Sequence, residues 1–152
     1  MSRNYVKKAT TLESVIKKHT IHLEDRRHEY ATVRQEQQHY EQLIEKTLQQ
    51  IDVIRDDIQR YAQHNEQFDM TEYLLQREYL LDLIDELERT EAEKLQVDER
   101  LNQVIKHLNQ ALIEIKSFEN LKEKNHRQAS LHQEKQLTKQ MDELWLLTRR
   151  GR

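Results

Sequence analysis

The chain of 152 residues has no cysteine, no proline and a single glycine, at position 151. Without cysteine there is neither a disulfide nor a thiolate metal site. Without proline or an internal glycine there is no phosphate-cradling loop and no series of short strands set off by turns. Hydrophobic residues make up 36% and charged residues 35%, with aromatics at only 6% and one Trp, so a globular core would be thin. No stretch approaches the ~20 apolar residues of a membrane span. The N-terminus, MSRNYVKKATTLESVIKK, has no apolar run of signal-peptide length. A cytoplasmic protein without direct membrane insertion is the expectation.

What fills the chain instead is Leu, Glu, Lys, Gln and Arg, all good helix formers. From Tyr5 a four-three alternation runs through Ala9, Leu12, Ile16, His19, Leu23, Arg26, Tyr30, Val33, Gln37, Tyr40, Ile44, Thr47, Ile51, Ile54, Ile58, Tyr61, Asn65 and Phe68. Most of these positions are apolar. A repeat of 3.5 residues held this long specifies a seam against another helix. In the second half, Tyr73, Leu80, Ile84, Leu87, Leu101, Ile105, Leu108, Leu112 and Ile115 share one register, which passes through Glu91, Lys94 and Asp98. Residues 119–136 are mostly polar, and apolar spacing returns at Leu137, Met141, Leu144, Trp145 and Leu147.

Between the halves, Asp69 and Glu72 stand at capping-box spacing. Phe68 and Tyr73 occupy the two places of a hydrophobic staple, and Asn65 tolerates the left-handed conformation that ends a helix. The expectation is therefore an all-α fold, a long antiparallel two-helix coiled-coil hairpin spanning residues 1–152. Its first helix covers about 3–65, its turn about 66–69 and its second helix about 70–148. Facing residues should have numbers totalling about 135, and each arm of ~65 residues would span ~95 Å. The last residues then overhang, leaving Leu137, Met141, Leu144, Trp145 and Leu147 as an unpaired stripe. A longer loop with shifted register would bury that stripe instead.

Charge is graded along the chain. Residues 1–27 carry seven Lys/Arg against three Asp/Glu, residues 116–152 nine against five, and residues 28–115 nine against twenty. A hairpin brings the two basic ends together, and opposite charge at its two ends suits two different partners.

Catalytic chemistry has no visible seat. His19 and His22 lie three apart, but no metal-binding helix motif contains them, and seam packing accounts for His19. Ser2, Ser14, Ser117 and Ser130 lack a neighbouring base, and Asp56 with Asp57 reads as a solvated helix surface. No catalytic, cofactor or metal residue is expected. The basic pairs Lys7-Lys8, Lys17-Lys18 and Arg26-Arg27, with the terminal RRGR, are too dispersed for a basic-region DNA reader, so no nucleic acid is expected either.

The basic opening VKKATTLESVIKK, the central reversal, the chain length and the ending KQLTKQMDELWLLTRR together resemble the YscO/FliJ group of type III secretion and flagellar export proteins. The most specific local piece is Lys139-Gln140-Met141-Asp142-Glu143-Leu144, and the likeness is nearer the virulence-associated YscO branch. The resemblance implies a monomeric stalk similar to that of rotary ATP synthases. Such a stalk holds its joined termini in the pore of a hexameric secretion ATPase, promotes ATPase assembly and activity, and sends its tip toward an export-gate membrane protein. It also implies contact with export chaperones. Position and chemistry nominate Leu144, Trp145, Leu147, Arg149 and Arg150 for the ATPase end. Tyr61, Phe68, Tyr73 and Tyr79 are the candidates for the tip. Two rival readings remain: a self-associating spacer formed as a parallel dimer, and an export chaperone that binds partner helices.

Overall fold

The computed structural model describes residues 2–63 and 69–151, with the side chains of Ser2 and Tyr5 excepted. It is an all-α hairpin of two long helices packed against each other, α1 (Ser2–Gln63, 62 residues) and α2 (Met70–Arg150, 81 residues). Met70 opens α2 because Asp69 caps it. The Asp69 carbonyl accepts the Tyr73 amide at 3.1 Å, and its Oδ1 accepts the Thr71 amide at 3.0 Å. The first is the opening bond of the helix, and the second satisfies one of the donors that a helix N-terminus leaves unpaired. Glu72 lies in the first turn, where a carboxylate complements the helix dipole. Its carboxylate accepts the Tyr61 hydroxyl, which ties the end of α1 to the start of α2. That bond and the neighbouring charges of Glu72, Asp69 and Asp57 raise the Tyr61 phenol above its ordinary value. Asn65, Phe68 and the expected turn, apart from Asp69, lie outside the described residues.

The expected single hairpin divides into two compact units, although both helices run through each. Unit 1 joins Met1–Arg26 to His107–Arg152, and unit 2 is Arg27–Lys106. The division follows the charge. Unit 1 holds fifteen Lys/Arg against nine Asp/Glu, and unit 2 ten against nineteen.

In unit 2, Ile51, Ile54 and Leu83 form one buried cluster, joined by Ile58, Leu80, Ile84 and Leu87. Val33, Val97, Leu101 and Val104 form another, flanked by Tyr30, Tyr40 and Ile105. Several polar seam positions are bonded. Thr47 is buried and its hydroxyl donates to the Leu43 carbonyl at 2.9 Å. Gln37 Nε2 donates to Asp98 Oδ1 at 2.6 Å, and Lys94 Nζ reaches Asp98 Oδ2 at 3.3 Å. Arg100 pairs with Glu36 across the helices. In unit 1, Leu12, Leu23 and Ile115 are buried. His19 lies 3.6 Å from the Glu114 carboxylate with its ring tilted on Phe118 at 4.9 Å, and Lys122 pairs with Glu13 at 3.5 Å. Glu13 with Lys122 and Gln37 with Asp98 each total 135, the register the sequence predicts.

The seam of α1 follows the predicted spacing, except that Ala9 and Arg26 are exposed. On α2 one inward column is as expected: Tyr73, Leu80, Leu87, Lys94, Leu101, Leu108 and Ile115. The other stands one residue earlier. Leu83, Thr90, Val97, Val104 and Ala111 take the places the spacing assigns to Ile84, Glu91, Asp98, Ile105 and Leu112. Both columns repeat every seven residues, so periodicity alone does not choose between them. The desolvation of carboxylates does: the observed phase keeps Glu91 in water and leaves Asp98 at the flank, where it is bonded.

Elsewhere the side chains bond locally. The hydroxyls of Thr10, Thr11, Thr20, Thr32, Thr90, Thr138 and Thr148 donate to carbonyls three or four residues back. The Oε1 of Gln76 is a buried atom without a hydrogen-bond partner.

Two measurements check this packing. Leu83→Ala, at a position 3% exposed, should cost about 2–5 kcal/mol in chemical denaturation. Leu112→Ala, 42% exposed, should stay within about 1 kcal/mol. Equal costs would restore the displaced phase. Asp98 titrates below the ordinary carboxylate value because the Gln37 bond, and then Lys94, favour its charged form over the opposing cost of desolvation. Its stabilising contribution is therefore complete above about pH 4 and is lost as pH falls through the lowered folded value. Asp98→Asn should flatten that acid limb in pH-dependent unfolding.

Candidate functional site

Alpha helix α2 has 19 more residues than α1, and every residue from 133 to 151 is exposed. The apolar side chains nominated from sequence are therefore out in solvent: Leu144 is 63% exposed, Trp145 59% and Leu147 67%. Leu137 and Met141 share this state, so the stripe is not buried by a shifted register. Leu146, which the spacing did not single out, is exposed beside them. The Arg149 guanidinium lies 5.0 Å from the centroid of the Trp145 ring, a cation–π distance. Arg149 and Arg150 occupy the last turn, where cations complement the helix dipole. The site thus combines a large amphipathic ring, a wide aliphatic surface and two fixed positive charges. That combination is what protein interfaces concentrate at their anchor points.

Near the end of α1 and the start of α2, the four aromatic candidates separate. Tyr79 is exposed. Tyr61 and Tyr73 are half-buried in the seam, the first bonded to Glu72 and the second under the Arg77 guanidinium at 5.9 Å. They position the hairpin rather than offer a free surface. Phe68 lies outside the described residues. Sequence spacing missed Met70, Leu74, Leu75 and Leu81, each more than half exposed. The signal for the leucines was the doublets Leu74-Leu75, both off the seam, and Leu80-Leu81, with one member off it.

One cleft in unit 1, of about 440 Å³, lies along α2 beside Leu131, Thr138 and Lys139, and two others are lined by both helices. Of these two, one, of about 350 Å³, has Leu12, Val15, Phe118 and Leu121 along it with Lys7 and Lys8 at its edge. The other, of about 270 Å³, gathers His19, His22, His107, Arg26 and Glu114. Among the described residues no three His, Asp or Glu side chains are placed to hold a metal ion. No helix among them is long and apolar enough to cross a membrane.

Because Trp145 is the only tryptophan, its fluorescence reports this site alone. The isolated protein should emit at the solvent-exposed limit and be quenched by acrylamide nearly as freely as a model indole. A blue-shifted, protected signal would mean that the end of α2 is covered.

No family model matches the chain, and neither the curated proteins nor the solved structures contain a match to it.

Proposed function

We propose that this protein is a non-catalytic coupling stalk of a bacterial type III secretion apparatus, working at its cytoplasmic base. The observation that carries the reading is the bare end of α2, with Leu144, Trp145 and Leu147 exposed and Arg149 held on the Trp145 ring. An amphipathic anchor of this kind, in the same basic unit as the N-terminal segment, suits a partner with an acidic, apolar receiving surface. In this reading that partner is the ring of a hexameric secretion ATPase. The acidic unit, with Tyr79, Met70, Leu74, Leu75 and Leu81 exposed, supplies the second contact, toward an export-gate membrane protein. The resemblance of VKKATTLESVIKK and KQLTKQMDELWLLTRR to the YscO/FliJ group supports both assignments, and extends them to export chaperones as further partners.

The work such a molecule does is mechanical. Two helices zipped along one seam transmit a bias in position from one partner to the other without forming or breaking a covalent bond. None of the three clefts is enclosed enough to exclude water from a reaction, consistent with a binding role.

The test is ATPase stimulation with the purified secretion ATPase of the same bacterium. Arg149→Glu together with Arg150→Glu should reduce stimulation by about tenfold, the effect of losing roughly 1.4 kcal/mol of binding, while helix content is unchanged. Stimulation equal to that of the unaltered protein would reject this end as the ATPase contact.

A further inference from the structure

Charges on the end of α2 are confined to one side. From Lys135 to Arg150 the six charged residues are Lys135, Lys139, Asp142, Glu143, Arg149 and Arg150. At 100° per residue they fall in a sector about 120° wide. The opposite half of the helix, about 180° wide on the same measure, holds Leu137, Met141, Leu144, Trp145 and Leu147. Its remaining members are Thr138, Gln140 and Thr148. The two threonine hydroxyls donate to their own helix, Thr138 to the Glu134 carbonyl and Thr148 to those of Leu144 and Trp145, so neither needs a partner. Glu134 closes the face at its start.

This face is not a continuation of the hairpin seam. Extended past His132, the seam of α2 runs through Lys139, Glu143 and Leu146 inside the charged sector and through Gln136 just beyond its edge. A helix prolonging the line of α1 would therefore meet charge, and the apolar half would still face away from it.

Width decides what kind of surface fits. A two-stranded pairing buries a narrow stripe and leaves charged flanks, as Glu36 with Arg100 flank the seam in unit 2. Here the flanking places are Thr138 and Trp145 on one side and Gln140 and Leu147 on the other, all uncharged. An apolar sector wider than about 100° is that of a helix facing a core rather than a single-helix seam. Area agrees. Five large side chains, each more than half exposed, present several hundred Å². A stable interface needs about 800 Å² per partner. Only a partner that wraps both flanks brings the whole face into the contact.

We propose that the end of α2 docks as the third helix in a groove between two helices of another protein. The groove is apolar and uncharged along its floor, and an acidic side chain stands at the rim where Arg149 sits on Trp145. The form of this receiving surface goes beyond the identity of the machine argued above, and holds for any partner of this end.

The test is photo-crosslinking of the full-length protein in the cells that produce it. Benzoylphenylalanine replaces Thr138, Gln140, Leu144 or, as the outward control, Lys139, and adducts are mapped by mass spectrometry. Expected are adducts from Thr138 and Gln140 on two different helical segments of one partner, adducts from Leu144 on either, and none from Lys139. Gln140→Glu, an exposed change to another good helix former, should cut the Leu144 adduct by about tenfold. Lys139→Glu should leave it intact. Adducts from both flanks on one segment, adducts on a second copy of this chain, or no adduct from any of the three positions would each overturn the proposal. If the two-segment pattern falls on a protein that is not an ATPase, the functional reading fails and this inference stands. If a secretion ATPase is trapped through one segment only, the outcome is the reverse.

Discussion

Everything in this fold depends on one seam. Two helices can bury only one stripe each, and among the described residues no side chain is enclosed more completely than Ile51, Leu83 and Val104, each still 3% exposed. Burial of a Leu or Ile side chain contributes on the order of 1.5–3 kcal/mol relative to leaving it in water. With ten buried hydrophobic residues in the described chain, the hairpin rests on few contacts. The reserve is small, so placement of the polar groups along the stripe has a large effect.

Those polar groups fix alignment. A purely aliphatic seam would accept a slip of one heptad at modest cost, because Leu, Ile and Val columns repeat. A slip here would part Gln37 from Asp98 and His19 from Glu114, leaving the half-buried Asp98 with only Lys94 of its own helix. Thr47 is neutral in this respect, since its hydroxyl is satisfied by its own helix. The hairpin therefore carries two classes of polar seam residue, one that sets register across the helices and one that merely fits.

Much of this was legible in the sequence. The helices, the cap at Asp69, the antiparallel register near 135 and the bare end of α2 all follow from spacing and from residues with a known conformational bias. The phase of α2 was half legible. A column such as Leu80, Leu87, Leu101 and Leu108 is unambiguous, but Ile84 and Ile105 compete with Leu83 and Val104 for the adjacent one. The competition is settled at positions 90 and 97, where Thr and Val are cheaper to desolvate than the Glu and Asp that follow them. The tip was less legible for a different reason. Tyr61 and Tyr73 look like free aromatics in a sequence, and only the pairing with Glu72 and Arg77 shows that they are occupied.

The threonines that bond back to their own helices carry a mechanical consequence. A hydroxyl donated to the carbonyl a turn behind competes with the main-chain amide for that acceptor and loosens the helix locally. Such sites recur at Thr10, Thr20, Thr32, Thr47, Thr90, Thr138 and Thr148, in both helices and in both units. With no proline to concentrate bending at one joint, elasticity is distributed in small doses. Each turn so loosened can give a little under load without breaking the helix that contains it.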